Sequence, residues 1–447
     1  MKKYVYLCCL FFAVSLVKAQ EKELQLSMQE AVTYALANNY TAKIAVNNTK
    51  AAKKKKWETT TMGLPQIDAQ IDYNHWLKQA TSLLPAEIAG GAPGTFIPVT
   101  FGTQQTMNAS VTLRQLIFDG TYIVGLQSAN TYLNISEQAK EKTDRSVREA
   151  VINAYGNVLV AEKMATILAA NKTILEKNVA DTEKIYANGL VEEESLEQLK
   201  ITLATVTSQV NNMQRLEIIS RKMLNMVLGA TIETRVQLTD TLEHLIGTQV
   251  RPSLATTTFE VEAHVDFKIA ANNTEGFRLL LLLEKVKYLP SLKAFVNFGY
   301  TGNADTFNFL KSNQQWYDSS LVGVSLEIPV FSSFKRTAKI GQARLAHENA
   351  ALKLTETKER LHLALIQAKS DYQFSIEAYQ TATKNVALAQ RIAQKQQTKF
   401  FEGLSTSFDL SQAQHQLYAQ QQNYVQTMFA VIAKKAHLEN ALHTPLK

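Results

Sequence analysis

The chain is short of the residues that punctuate compact domains. Its 447 residues include 17 glycines, 8 prolines and 2 cysteines, and the glycines and prolines cluster rather than spread. So few breakers over such a length favour a small number of very long elements. Cys8 and Cys9 are the only cysteines, so the chain beyond them forms no disulfide and offers no thiol nucleophile. The histidines (His75, His244, His264, His347, His362, His415, His437 and His443) are scattered, with no HExxH spacing, and no glycine-rich phosphate loop is present. No catalytic, cofactor-binding or metal-ligating residue is expected, and an enzyme is set aside. Charge of one sign is scarce as well. The net charge is +7, and it falls to +4 once Lys2, Lys3 and Lys18 are removed with residues 1–19. That argues against nucleic acid as a partner. Long apolar runs are absent after the N-terminus: Leu279 to Leu283 is five leucines, far below the roughly 20 residues a spanning helix needs.

The first 19 residues read as a secretory signal. Lys2-Lys3 is the basic region, Tyr4 to Val17 the apolar run and Val17-Lys18-Ala19 the cleavage site. Residues 20–66 then form the first helix of a repeat. Ser27-Met28-Gln29-Glu30 is a capping box opening a helix that the pattern carries on to Trp57. Lys53 to Lys56 within it is read as a solvated face. After Leu64-Pro65 the period changes to two. Ile67, Ala69, Ile71 and Tyr73 alternate with Asp68, Gln70, Asp72 and Asn74. A second alternating strand, Met107 to Leu113, runs on through Arg114 to Phe118. Residues 67–118 are thus a hairpin, with 77–105 read as its loop. Residues 119–229 form a helical hairpin. Val147, Val151, Ala154, Val158, Ala161, Ala165 and Leu168 are spaced 4-3-4-3-4-3, a heptad seam. A helix from about 121 to 187 would be on the order of 100 Å long. Tyr155 and Leu159 lie beside the seam and fit contacts with a further helix.

The pattern then starts again. Residues 230–262 are a small mixed equatorial segment, and 263–291 the first helix of a second repeat. Residues 292–331 are a second hairpin, with Leu292, Ala294, Val296 and Phe298 on one face of its first strand. Val322, Val324, Leu326 and Ile328 lie on one face of the other, alternating with Gly323, Ser325 and Glu327. Residues 332–447 are a second helical hairpin and the C-terminus. Leu64-Pro65 matches Leu289-Pro290 at an offset of 225, and Gln115-Leu116-Ile117-Phe118 matches Ile328-Pro329-Val330-Phe331 at 213. The seam returns at 214 as Leu361, Leu365, Ala368, Tyr372, Ser375, Tyr379 and Ala382. The turns at Gly189 and Gly403 are likewise 214 apart, with Ser405 or Ser407 expected to cap the helix after the second.

Strands of about nine residues with one apolar face suit a bilayer, and the other face, with Asp68, Gln70, Asp72, Arg114 and Glu327, suits a wet lumen. Four strands cannot close a barrel, so several copies must contribute; three would give twelve strands. Tyr73, Trp76, Tyr300, Trp316 and Tyr317 near strand ends are candidates for an interfacial girdle. The rival reading, a soluble or surface-associated structural coiled coil, accounts for the helices but not for the signal or the two-faced strands.

In order, spacing and duplication, these features resemble the TolC family of outer membrane efflux proteins. The carrying residues are Leu24 to Ala31 with Ala35-Leu36 and Asn38-Asn39, Leu64-Pro65-Gln66, Leu113 to Gly120, Tyr186 with Gly189-Leu190, Leu326 to Phe331, and Phe400 with Gly403 and Asp409. The resemblance implies a mainly α protein with membrane β-hairpins. It would be a homotrimer whose twelve-stranded outer membrane β-barrel continues into a periplasmic α-helical barrel. It implies, too, a periplasmic adaptor and an inner membrane transporter as partners, and no cofactor. The tips that meet the adaptor would be Gly189, Leu190, Glu192, Glu193 and Glu194, and Gly403, Leu404 and Ser405. Asp409, six residues after Gly403, falls where an acid narrows the closed duct in the family. Gln412 and Ser195 stand where further acids could occur, so a single acidic ring is expected.

Overall fold

The computed structural model describes residues 24–249, 254, 257 and 259–444. The expected signal segment and part of residues 230–262 lie outside them. Two units emerge. One comprises the chain up to Thr49, Ser136–Ala270 and the chain from Lys353 on; the other comprises Lys50–Ile135 and Ala271–Leu352. Several long helices contribute residues to both.

The first unit is helical, with one small parallel sheet. β1 (Leu24–Leu26) precedes α1 (Met28–Asn38), whose N-terminus is the expected capping box: the Ser27 and Glu30 side chains each bond the other's backbone N–H. The helix does not run on to Trp57. Asn39 leaves the helical region at φ −56° and ψ 137°, and α2 (Tyr40–Thr61) starts afresh. Its Oδ1 accepts from the N–H groups of Thr41 (2.8 Å) and Ala42 (3.2 Å), while its Nδ2 donates to Val227 O (2.6 Å). Asn39 therefore caps α2 and pins the chain to the end of another helix. Neither proline nor glycine marks this break.

α3 (Gly120–Ala187) and α4 (Glu193–Leu228) are joined by the turn at Gly189. α4 ends at Gly229, after which β6 (Val236–Leu238) pairs in parallel with β1 and is followed by α5 (Leu242–Gln249). The β1–β6 pairing was not expected, nor was α5; the residues described between Leu254 and Glu260 include no strand. The largest core cluster joins Val147, Val151 and Val158 of the seam to Leu26, Leu224, Leu228 and Met428. Tyr155 and Leu159 are buried in this same core; they need no other chain to cover them. The Tyr155 hydroxyl lies 3.0 Å from Leu26 O and 3.1 Å from Asp240 Oδ2, and that same carboxylate oxygen accepts from Met28 N at 2.8 Å. Burial holds the phenol far above its ordinary pKa, so it is a neutral donor binding the small sheet to α3.

The remaining helices are α6 (Val265–Val286), α7 (Lys335–Phe401) and α8 (Ser407–Ala441). In α7 the second seam is buried at Leu365, Ala368, Tyr372, Ser375 and Ala382. At Gly156 of α3 a Cβ would lie 2.5 Å from the Phe429 ring, so the absent side chain is what lets α8 approach.

The second unit carries a four-stranded antiparallel sheet of order β2 (Gln66–His75), β5 (Gln105–Phe118), β7 (Ser291–Ala304) and β8 (Trp316–Glu327). The strands are 10 to 14 residues long, longer than the nine expected, because pairing continues past the apolar stretches. The expected loop at 77–105 also has structure: β3 (Thr81–Pro85) and β4 (Phe96–Thr100) form a separate hairpin within it. At the other end of the sheet, the Tyr122 ring fills the space where a Cβ on Gly63 would sit, and its hydroxyl donates to Thr60 O at 3.1 Å.

Candidate functional site

The pleat and the register sort the sheet into two faces. On one lie Ile67, Ala69, Ile71 and Tyr73 of β2, opposite Leu113, Val111, Ala109 and Met107 of β5. These continue through Ala294, Val296, Phe298 and Tyr300 of β7 to Val324, Val322, Ser320 and Asp318 of β8, the last two being the polar exceptions on this face. This face is apolar yet uncovered: Ile71 is 72% exposed and Val322 75%. A contiguous exposed apolar face of this extent marks a contact with lipid or protein. The aromatic residues divide. Tyr73, Tyr300 and Trp316 belong to the apolar face, whereas the register sets Tyr317 beside Thr301 and Asn108 on the other. Tyr73 meets Phe307 and Phe309 edge-on at 5.6 and 6.0 Å.

The opposite face is polar. Asp68, Gln70 and Asp72 share it with Arg114, and Glu327 lies on it at the end of β8. Asp68 and Arg114 form an ion pair, Gln70 Nε2 donates to Asp72 at 3.0 Å, and Asn297 Nδ2 donates to Thr112 Oγ1 at 2.6 Å. An open groove of about 850 Å³ lies at the helix end of this face, between Arg114, Lys293, Asn297 and Ser325 of the sheet and Thr59, Met62 and Tyr122 of the adjoining segments. Lys293 and Asn297 were not among the expected lumen residues, although their alternation with Leu292, Ala294, Val296 and Phe298 is legible in the sequence. The face is not uniformly wet: the Phe295 ring covers Gly323, where a Cβ would lie 2.5 Å from it.

The second set of candidate residues is at the helix turns. Gly189 and Gly403 have φ of +70° and +73°. Each ends its helix with the same pair of bonds: Gly189 N to Tyr186 O with Leu190 N to Ile185 O, and Gly403 N to Phe400 O with Leu404 N to Lys399 O. This is the Schellman arrangement, which ordinarily tucks the residue after the glycine against the helix. Here Leu190 and Leu404 are 76% and 71% exposed. Val179, Leu196, Leu199, Phe400 and Leu410 form the apolar cluster that braces both turns.

The turns differ in how the next helix begins. Thr406, rather than Ser405 or Ser407, is the N-cap of α8. Its hydroxyl accepts from Asp409 N, and the Asp409 carboxylate accepts from Thr406 N (3.1 Å) and Thr406 Oγ1 (2.7 Å). These hydrogen bonds, the side-chain one foremost, hold the exposed Asp409 carboxyl below the usual range. At the other turn Glu192 is the N-cap and makes no side-chain cap bond, while Glu193 and Glu194 occupy the first turn of α4, where the helix dipole favours acids. Beside and behind this apolar cluster, facing helices also meet through amides and hydroxyls: Asn171 with Gln421, Asn178 with Gln397 and Thr202 with Ser411. Among the described residues no group of acidic, histidine or cysteine side chains is arranged to hold a metal ion.

Residues 281–442 match the family of outer membrane efflux proteins. Among solved structures, the outer membrane protein VceC of Vibrio cholerae is 15% identical, with 93% of this chain and 95% of that one covered at a TM-score of 0.72. The Campylobacter jejuni outer membrane channel CmeC is 15% identical, covering 93% and 85% at 0.72. The open-state outer membrane channel MtrE of Neisseria gonorrhoeae is 14% identical, covering 93% and 88% at 0.70. The fold is therefore that of outer membrane channels. A search of curated proteins finds no match.

Proposed function

We propose that this chain, which carries an outer membrane efflux domain on the fold of outer membrane channels, is the exit duct of a tripartite efflux or secretion system. Three copies pool their four-stranded sheets into a twelve-stranded barrel whose apolar face meets lipid and whose polar face, with Asp68, Gln70, Asp72, Arg114 and Glu327, lines water. The observation that carries this reading is the two-faced sheet: an exposed apolar face and a polar, ion-paired one, with both edge strands unpaired. In lipid such edges have to close, and one chain supplies too few strands to do so. The chain conducts passively, and energy comes from the inner membrane transporter. The periplasmic adaptor meets the tips at Gly189, Leu190, Glu192, Glu193 and Glu194 and at Gly403, Leu404 and Ser405. The exposed leucines supply apolar contact area and the glutamates set charge complementarity. Asp409 is the gate candidate, since its carboxylate is exposed and held ionised near the tip, and three copies make a ring. Purified protein in planar bilayers tests conduction: discrete channel openings support it, and a silent membrane with demonstrably inserted protein refutes it. A native mass of three chains in mild detergent is expected, and a monomer refutes the assembly.

A further inference from the structure

Among the described residues the sheet leaves β2 unpaired along one edge and β8 along the other, and the chain contains a template for how two such edges meet. The hairpins obey the sequence repeat residue for residue. Moving β2 forward by the 225 residues from Pro65 to Pro290, and β5 by the 213 from Phe118 to Phe331, converts Ile67↔Leu113 into Leu292↔Leu326, which are partners in β7 and β8. All ten β2–β5 pairs, from Gln66↔Arg114 to His75↔Gln105, land on observed β7–β8 pairs in this way. The β5–β7 pairing is the joint between one repeat and the next. The last repeat of one copy and the first repeat of the following copy would meet through the same joint, with β8 in place of β5 and β2 in place of β7.

We infer that β8 of one copy pairs antiparallel with β2 of the next in the register that this joint dictates. The inference rests on the trimeric reading above. Leu113↔Val296 becomes Leu326 against Ile71 of the next copy, Thr112↔Asn297 becomes Ser325 against Asp72, and Val111↔Phe298 becomes Val324 against Tyr73. The faces agree without adjustment: Ile71 and Tyr73 join Leu326 and Val324 on the apolar side, while Asp72 joins Ser325 on the polar side. A slip of one residue would set apolar side chains against polar ones along the whole seam. Slips of two keep the faces, and the repeat is what selects among them.

Disulfide trapping reads the register directly, because the chain beyond Cys9 contains no cysteine to interfere. Directly opposed residues fall within disulfide range, whereas partners displaced by two, with Cβ atoms roughly 7–8 Å apart, do not. Asp72→Cys with Ser325→Cys, and independently Gln70→Cys with Glu327→Cys, should give oxidised dimers and trimers on non-reducing gels that collapse on reduction. Gln70→Cys with Ser325→Cys, and Asn74→Cys with Ser325→Cys, should give several-fold less, and each single-cysteine variant none. Native mass in mild detergent is measured on the same samples. A trimer in which a displaced pair links best overturns the register, and a trimer in which no pair links overturns the pairing of these edges while leaving the assembly intact. A monomer overturns both.

Discussion

Three helices end in the same left-handed glycine cap, and the structure separates what that cap costs from what surrounds it. Gly189, Gly229 and Gly403 have φ of +70°, +76° and +73°. An alanine at each pays about 1–2 kcal/mol for the left-handed conformation. Around Gly189 and Gly403 a Cβ meets nothing within 4 Å, but at Gly229 it would lie 2.3 Å from Asn38 O and 2.7 Å from the Asn39 Cα. These are backbone atoms that cannot rotate away, and relief requires the segment joining α1 to α2 to move away from the end of α4. That segment is tied by the Asn39 bonds to Val227 O, Thr41 N and Ala42 N. Breaking the first costs about 1 kcal/mol, and weakening the cap costs about 1 more. Gly229→Ala should therefore destabilise by about 3–4 kcal/mol, while Gly189→Ala and Gly403→Ala should lose only the conformational part. The assay is thermal unfolding in detergent followed by helical circular dichroism, with the yield of membrane-inserted protein as a second readout. Equal losses for all three variants would refute the argument, since it rests on the carbonyl of Asn38 and not on φ.

Tyr155→Phe leaves Asp240 with its Met28 N–H but removes the hydroxyl buried between Leu26 O and that carboxylate. A loss of about 1–3 kcal/mol in chemical denaturation is expected, and an unchanged midpoint would count against the hub. Thr406→Ala removes the cap of α8 at a cost of about 1 kcal/mol and should increase proteolytic nicking near Gly403. Asp409→Asn distinguishes cap from gate: a change in single-channel conductance without added nicking supports the gate, and nicking alone supports the cap. His443 is held down to about 4 by burial and by the nearby Arg145 guanidinium, with Glu141 opposing and His264 and Lys268 adding to the depression. The unfolded chain therefore takes up this proton first, and stability should fall as pH drops from about 6.5 to about 4 and level off below. His443→Asn should flatten that slope in acid titrations followed by circular dichroism.

How much was legible in advance follows from what each element rests on. Period and offset are properties of the sequence, and they were enough for the strand faces, the heptad seams and the 225 and 213 shifts that the hairpin registers reproduce. What escaped depended on distant partners. β1 and β6 are three residues each and 212 apart, too short for any alternation to declare them. Asn39 interrupts a helix whose hydrophobic pattern runs straight through it, because the break is stabilised by the end of α4 rather than by local propensity. The hairpin of β3 and β4 was hidden by Pro85, Pro93 and Pro98, which signal loop yet are tolerated where a two-stranded ribbon has free edges. At the second turn, hydroxyls at Ser405, Thr406 and Ser407 all looked able to cap. Only Thr406 stands three residues before Asp409, the spacing that a reciprocal box requires.

The two turns, finally, have one backbone and two chemistries. Both present an exposed leucine where the Schellman motif would normally bury one, which is the apolar area that the proposed adaptor contact would cover. Behind them the apolar cluster of Val179, Leu196, Leu199, Phe400 and Leu410 is interspersed with amide and hydroxyl pairs such as Asn178 with Gln397 and Thr202 with Ser411. Such pairs contribute about 1 kcal/mol each, less than the 1.5–3 kcal/mol of a buried leucine. The reciprocal box of Thr406 and Asp409 fixes the start of α8, whereas α4 begins on three glutamates with no cap bond at Glu192. Of the two turns, the one at Gly189 is held by fewer bonds. Adaptor contact should therefore order it more than its twin, seen as the larger gain in hydrogen-exchange protection at residues 186–195 than at 400–409 when an adaptor tip is added.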